Sequence, residues 1–303
     1  MSPIKSLITM QDAKRILSKI RHLELKTRGL VETAFAGQYR SVFKGRGMNF
    51  DEVREYQPGD EVRTIDWNVT ARLGHPYVKK FTEERELTVM LVVDVSASGT
   101  FGSVDLSKRE LAAEVASILA FSAINNNDKV GLLLFSDDVE LFIPPKKRRL
   151  HTLRLIREML YFEPKGRGTN LAGALDYLNR VISRRAVVFL ISDFIAPDFS
   201  KPLTVSSRRH DVVAMPVSDP GESVMPDVGI ITLEDAETGQ QIDINTGSKG
   251  VRRGLADLDG LRRKALERLF RSRRVDIVPL STTEDYLLPL RAFFEQRERR
   301  LAA

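Results

Sequence analysis

The stretch from Leu87 to Ser98 constrains the fold of this chain more than any other. It reads Leu-Thr-Val-Met-Leu-Val-Val-Asp-Val-Ser-Ala-Ser, and its first half is an unbroken apolar run rich in β-branched residues. A run without alternating polar residues predicts a strand that is buried on both faces. Helices on both sides of a parallel sheet bury a strand in this way.

Further apolar runs alternate with segments of helical periodicity along the chain. Besides the first strand, we predict buried strands at 129–135, 186–193, 211–217 and 275–280, and an antiparallel edge strand at 139–143. Helices are predicted at 108–125, 149–162, 171–183, 254–274 and 285–300, and a hairpin at 230–234 and 241–244. This alternation indicates βαβ units, so we predict an α/β fold with a doubly wound, mostly parallel sheet flanked by helices.

Three segments differ in character and predict the domain organisation. Residues 1–36 carry Ile16, Ile20 and Leu23 at helical spacing, which indicates an N-terminal helical segment. Residues 37–86 are rich in Gly, Arg, Asp and aromatic residues, and we expect a small β-rich subdomain there. Residues 87–303 are expected to form the α/β domain.

The composition excludes several classes of protein. With 42% hydrophobic and 29% charged residues, the chain of 303 residues resembles an ordinary soluble protein. It has no cysteine, which excludes disulfides, thiolate metal sites and a cysteine nucleophile. No apolar run approaches the roughly 18–20 residues that span a bilayer, and the N-terminus has no signal pattern. We therefore expect a cytoplasmic protein without a transmembrane segment.

Oxygen-bearing side chains follow the first buried strand. Asp94, Ser96 and Ser98 occupy alternate positions at its C-terminal end, where ligands bind in open α/β sheets. Carboxylate and hydroxyl oxygens are the type of ligand that Mg²⁺, Mn²⁺ and Ca²⁺ prefer. A metal site is one interpretation. The alternative is that these residues only cap the strand and turn the chain.

Two more residues join this set. Thr169 lies in a Gly-flanked loop before a helix, and Asp193 ends the third buried strand. Neighbouring strand ends and the adjacent loop converge on one edge of a doubly wound sheet. We therefore predict a site for Mg²⁺, or for Mn²⁺ or Ca²⁺, formed by Asp94, Ser96, Ser98, Thr169 and Asp193. With hydroxyls among its direct ligands, the ion would stay electrophilic and able to accept a carboxylate from a partner.

In this order and on these elements, the five residues resemble the metal-ion-dependent adhesion site (MIDAS) of a von Willebrand factor A (vWA) domain. The preceding segment resembles the signature of the bacterial DUF58 family. Its matching residues are Gly45-x-Gly47-x-x-Phe50, Arg54-x-Tyr56-x-Pro58-Gly59-Asp60, Arg63-x-Ile65-Asp66-Trp67 and Ala71-Arg72. One departure is Gly99, which follows Ser98 where many relatives have Met. This position is not a metal ligand.

The resemblance to DUF58 proteins implies a function. These proteins are commonly encoded beside MoxR-type AAA+ ATPases and are thought to link the ATPase to client proteins. The resemblance therefore implies a non-enzymatic adaptor that binds an acidic side chain of a partner through the metal. Many members carry an N-terminal membrane region, whereas this chain resembles the shorter, soluble type.

The charged residues of the signature segment have two interpretations, a buried ion-pair network and a second functional surface. We favour the network, because Tyr56 and Trp67 lie among them and resemble core anchors. The charged residues are Arg54, Asp60, Arg63, Asp66 and Arg72.

Two other functions stay open. Two acidic strand ends and a metal also suit a phosphoesterase or nuclease, although the four histidines are scattered and no P-loop or Gly-x-Ser-x-Gly elbow is present. Nucleic-acid binding would rest on basic clusters such as 146–149 and on the net charge of +6. Such clusters are usually solvated helix faces, so a protein partner is favoured over nucleic acid.

Overall fold

The computed structural model describes residues 39, 42, 49–82, 86–103 and 106–302. The chain divides into two compact units, a smaller one of Phe43–Leu87 and a larger one of Met1–Val42 together with Thr88–Ala303. The predicted N-terminal helical segment, residues 1–36, lies outside the described residues. The division at residues 36 and 86 therefore stays a prediction.

The larger unit is built on a seven-stranded sheet. Its elements, in chain order, are β3 (Thr88–Asp94), α2 (Lys108–Asn125), β4 (Lys129–Phe135), β5 (Val139–Lys146), α3 (Arg149–Tyr161), α4 (Leu171–Val181), β6 (Val187–Ser192), α5 (Ser200–Arg209), β7 (Asp211–Ser218), α6 (Pro220–Ser223), β8 (Ile230–Glu234), β9 (Gln241–Asn245), α7 (Lys249–Ser272), β10 (Asp276–Ile277), β11 (Leu280–Ser281) and α8 (Leu287–Ala302). The strand order is β10-β7-β6-β3-β4-β5, with β11 also beside β7, and only β5 runs antiparallel to its neighbour. The predicted fold class is confirmed.

Strand β3 lies at the centre of this sheet, between β4 and β6. Its residues 89–93 are each at most 2% exposed, which explains the unbroken apolar run. Met90 lies opposite Gly131 of β4, and a Cβ on that glycine would come within 2.7 Å of the Met90 Sδ. The glycine therefore lets a large side chain pack directly on the neighbouring strand.

Local signals placed most elements correctly, and the exceptions have physical causes. Helix α2 begins where predicted, because Ser107 and Glu110 form a capping box. The strand predicted at 275–280 is two short strands, since Pro279 has no N–H with which to continue the ladder. Edge strand β5 continues beyond its predicted end through two prolines, which an edge position tolerates. Helix α5 was not predicted, because its sequence is mostly polar and buries only Leu203 and one serine.

The smaller unit contains β1 (Asn49–Glu55), α1 (Trp67–Leu73) and β2 (Tyr77–Thr82), and its two strands pair antiparallel. Arg54 donates two hydrogen bonds to the Asp60 carboxylate, at 2.9 and 2.7 Å. The Asp66 side chain caps α1 by accepting from the backbone of Asn68. Trp67 is 65% exposed, so its expected role as a core anchor was wrong. One ion pair and one helix cap account for three of the five charged residues.

We expect Leu91→Ala in β3 to lower the free energy of unfolding by about 3 kcal/mol, because it leaves a cavity that the sheet cannot fill. Leu150→Ala is the matched control, since the Leu150 side chain is 81% exposed and its loss should change stability by less than about 0.5 kcal/mol. Chemical denaturation of both variants measures the difference. Equal losses would contradict the central position of β3.

Candidate metal centre

The Asp94 carboxylate is fixed between two strand ends. Strands β3 and β6 are neighbours, and they end at Asp94 and Ser192. Asp94 Oδ1 accepts a hydrogen bond from the Ser96 backbone N–H at 2.9 Å, and Oδ2 accepts one from Ser192 Oγ at 2.6 Å. Nothing in the sequence indicates that Ser192 holds this carboxylate.

A chain of hydrogen bonds links the two serines to the second carboxylate. The Oγ atoms of Ser96 and Ser98 lie 3.1 Å apart, and Ser98 Oγ donates to Asp193 Oδ2 at 2.8 Å. The other oxygen of Asp193 accepts from the backbone N–H of Ile195 at 3.0 Å. Four of the five predicted residues are therefore brought together at the carboxyl edge of the sheet.

The loop that carries Thr169 is fastened beside this edge. The backbone N–H of Ala97, between the two serines, donates to the Arg167 carbonyl at 2.9 Å. Asp137 accepts from the backbone N–H groups of Arg167 and Gly168 at 2.8 and 3.2 Å. Glu140 accepts from the backbone of residues 165 and 166 at 2.9 and 2.8 Å. The carboxylates of Asp137 and Glu140 thus hold the backbone of the Gly-rich loop. Periodicity in the sequence does not indicate these contacts.

Thr169 itself is not hydrogen-bonded to the other four residues. Its Oγ1 donates to Glu237 Oε1 at 2.7 Å, and Glu237 lies in the turn between β8 and β9. The structure therefore places a further carboxylate beside the predicted set. The sequence indicates only that this turn joins the two strands of a hairpin.

A buried lysine also enters the site. Lys108 is the first residue of α2 and is 3% exposed. Its Nζ donates to Asp193 Oδ2 at 2.8 Å and to Glu222 Oε1 at 2.5 Å. An ammonium group in this position offsets the negative charge of Asp193. The sequence does not indicate this role, because a lysine at a helix start usually points to solvent.

The electrostatics of the two aspartates differ. Burial raises the pKa of Asp94 to about 6, and the negative charge of Asp193 adds to the rise against the hydrogen bonds from Ser192 and Ser96. In the described part of the chain, the hydrogen bonds to Asp94 come from neutral donors. Its negative charge is therefore stabilised less than that of Asp193, whose partner is an ammonium group.

The donor set fits a hard divalent cation. A small cavity of about 20 Å³, room for about one ion or one water molecule, is lined by four of the predicted residues, Asp94, Ser96, Ser98 and Asp193, together with Lys108 and others. Thr169 is not part of its lining. Within the described ranges, no group of three or more His, Cys, Asp and Glu side chains is placed to hold a metal. An ion here would therefore depend on hydroxyl ligands beside the carboxylates, and the assignment of these residues as metal ligands stays a prediction.

Comparison with known proteins identifies relatives over most of the chain. Residues 52–264 match the family described as "Protein of unknown function DUF58". An uncharacterized protein of Mycobacterium tuberculosis is 33% identical over 291 residues, which cover 95% of this chain and 92% of that protein.

Comparison with solved structures finds similarity at low sequence identity. An aerotolerance-related membrane protein from Bacteroides fragilis has 17% identity and a TM-score of 0.44, with 71% of this chain and 99% of that chain covered. The SpRpn10 VWA domain has 14% identity and a TM-score of 0.33, with 44% and 76% covered.

The expected cytoplasmic location is corrected by this comparison. The Bacteroides fragilis neighbour is described as a membrane protein, which contradicts an assignment that rested on the absence of an apolar run. Over the part of the chain that the structure describes, no helix is both long and apolar enough to cross a bilayer.

The raised pKa of Asp94 predicts how stability depends on pH without metal. Between about pH 4 and 6 the folded protein binds more protons at Asp94 than the unfolded chain, so stability falls as pH rises through this window. In chelator at pH 8, Asp94→Asn should therefore raise the free energy of unfolding by about 2 kcal/mol, and the gain should vanish near pH 4. Urea denaturation at the two pH values measures it.

Asp219→Asn is the matched control, for which we expect the free energy of unfolding to change in the opposite direction. Hydrogen bonds from Ser103, Thr282 and Gly221 outweigh the effect of burial and lower the pKa of Asp219 to about 2. Its stabilising contribution is complete above about pH 4 and is lost as pH falls towards 2. This variant should be less stable than the wild type at pH 8. A destabilised Asp94→Asn protein at pH 8 would contradict our account of the site.

Proposed function

The chain belongs to the DUF58 family, and we propose that it is a non-enzymatic, metal-dependent protein-binding adaptor. The observation that carries this proposal is the hydrogen-bonded chain from Asp94 through Ser96 and Ser98 to Asp193. It brings two carboxylates and two hydroxyls to the edge of the sheet where ligands of open α/β folds bind. Thr169, in the adjacent loop, is the fifth member of the proposed site.

The residues of the site have separate roles in this proposal. Asp94 and Asp193 supply carboxylate oxygens to the ion, and they also orient the turn that carries the serines and the Ser98 hydroxyl. Ser96, Ser98 and Thr169 supply neutral oxygens to Mg²⁺, or to Mn²⁺ or Ca²⁺. A bound ion would supply positive charge that attracts a carboxylate of a partner, because its neutral hydroxyl ligands do not offset its charge.

The partner we propose is a MoxR-type AAA+ ATPase, with client proteins bound in turn. This assignment follows from the DUF58 resemblance. The net charge of +6 supports docking to an acidic protein surface. Nucleic acid is the less favoured partner, because acidic residues are interspersed in most of the basic clusters. On helix α7, for example, Asp259 pairs with Arg262 and Arg263.

We expect Mg²⁺ to stabilise the wild-type protein against thermal unfolding, by about 2.7 kcal/mol at a concentration 100 times the Kd. Asp94→Ala and Thr169→Ala should lose this stabilisation, because each removes an oxygen from the proposed set. Asp257→Ala is the control, since Asp257 is an exposed carboxylate on α7 away from the site. Differential scanning calorimetry with Mg²⁺ and with chelator measures the shift. A shift retained by both site variants would contradict the metal site.

The same variants test the adaptor role. Binding of the purified co-encoded ATPase, measured by titration calorimetry, should weaken at least tenfold in Asp94→Ala and in chelator, but not in Asp257→Ala. The same preparations should be assayed with Mn²⁺ for hydrolysis of a phosphodiester. Turnover by the wild type that Asp94→Ala abolishes would overturn the adaptor assignment in favour of a metal-dependent hydrolase.

A further inference from the structure

The hairpin of β8 and β9 stands apart from the main sheet. Its two strands pair only with each other in the described part of the chain, and Ile230 and Ile242 are 72% and 60% exposed. Neither strand has a fully buried residue, although half-buried side chains alternate with the exposed ones at Ile231, Leu233 and Ile244. A segment with few buried contacts belongs to the part of a fold that moves at low free-energy cost.

The turn of this hairpin is nevertheless well ordered. Asp235 Oδ1 accepts from the backbone N–H groups of Glu237 and Thr238, both at 2.8 Å. Gly239 has φ +72°, which a residue without a side chain adopts without strain, and its N–H donates to the Asp235 carbonyl at 2.8 Å. The turn therefore presents the Glu237 side chain in a defined direction.

That direction is towards the proposed metal site. Glu237 Oε1 accepts from Thr169 Oγ1 at 2.7 Å, although the two residues are 68 positions apart in the sequence. A Cβ on Gly168 would lie 3.5 Å from Glu237 Oε2, so the carboxylate rests against the Gly-rich loop. This is an ordinary van der Waals distance, and the group that requires a glycine at position 168 is Asp137, whose Oδ1 would clash with that Cβ.

The surrounding charges do not explain why a carboxylate lies here. Burial raises the pKa of Glu237, and the negative charges of Asp193, Asp235 and Asp137 add to the rise against the hydrogen bond from Thr169. Within the described residues, the Glu237 carboxylate accepts its hydrogen bond from a neutral hydroxyl, that of Thr169. A divalent cation beside Thr169 would attract the negatively charged Glu237 carboxylate and so make its interaction with the surroundings favourable.

We propose that Glu237 becomes an intramolecular carboxylate ligand when an ion binds, by a movement of the hairpin that carries it from its contact with Thr169 to the ion. It would then hold the position which a partner's carboxylate takes on binding. This inference rests on the proposed function, because it requires a metal at Asp94, Ser96, Ser98, Thr169 and Asp193. It adds a sixth residue from a separate hairpin. It also makes partner binding a competition between two carboxylates.

The test is a titration of the metal-stripped protein with Mn²⁺. The electron paramagnetic resonance signal of free Mn²⁺ measures how much of the ion is bound. We expect Glu237→Gln to weaken Mn²⁺ binding about tenfold, and Glu237→Asp to weaken it as well because the shorter side chain falls short of the ion. Glu234→Gln is the matched control, since Glu234 is an exposed carboxylate on the same hairpin. Asp94→Ala should abolish binding.

A label on the hairpin gives a second measurement. Because the chain has no cysteine, Thr238→Cys carries a single nitroxide at the turn. Mg²⁺ should restrict the motion of this nitroxide when Glu237 is present and leave it unchanged in the Glu237→Gln background.

The outcomes separate the two ideas. Wild-type affinity and label response in Glu237→Gln, with binding lost in Asp94→Ala, would overturn the role of Glu237 and leave the proposed metal site standing. Unchanged Mn²⁺ binding in Asp94→Ala, or no binding to the wild type, would overturn the metal site and the inference with it.

Discussion

The burial of β3 on both faces is the constraint on which the rest of the larger unit depends. A strand with no polar face must have a neighbour on each side and a helix layer above and below. These neighbours are β4 and β6, and their parallel register brings the ends of β3 and β6 together. The pairing of residues 89–93 of β3 with residues 187–191 of β6 therefore brings the Asp94 carboxylate to Ser192.

The site departs from the rule that buried charges are paired. Asp193 follows the rule through Lys108, whereas the hydrogen bonds to Asp94 come from neutral donors and its pKa is about 6. A half-buried carboxylate without a cationic partner reduces stability at neutral pH. The fold tolerates it because the rigid sheet beneath is well packed, and such local departures from the rules of stability are common where a protein binds something.

Sequence reasoning succeeded where the signal was local. The apolar run of β3 and the capping box of α2 each lie within a few adjacent residues, and both elements were predicted. The failures concern contacts between distant segments. Ser192 and Lys108 contact Asp94 and Asp193 over 98 and 85 positions, and no periodicity in a single sequence encodes such pairs.

Trp67 was wrongly predicted to be buried. The prediction rested on residue type alone, and in the smaller unit this side chain is exposed. Of the predicted site, the sequence pattern located the end of β3, the end of β6 to within one residue and the loop of Thr169. It did not reveal Glu237, because a glutamate in a hairpin turn is usually solvated.

The ion pair between Lys108 and Asp193 has a consequence for how the site would behave as a receptor. An ammonium group fixed 2.8 Å from Asp193 Oδ2 repels any second cation that approaches the same oxygen. A divalent ion would therefore be held less tightly than in a site made of unpaired carboxylates. Its occupancy would follow the free ion concentration around it, so that the protein would exchange its ion rather than store it.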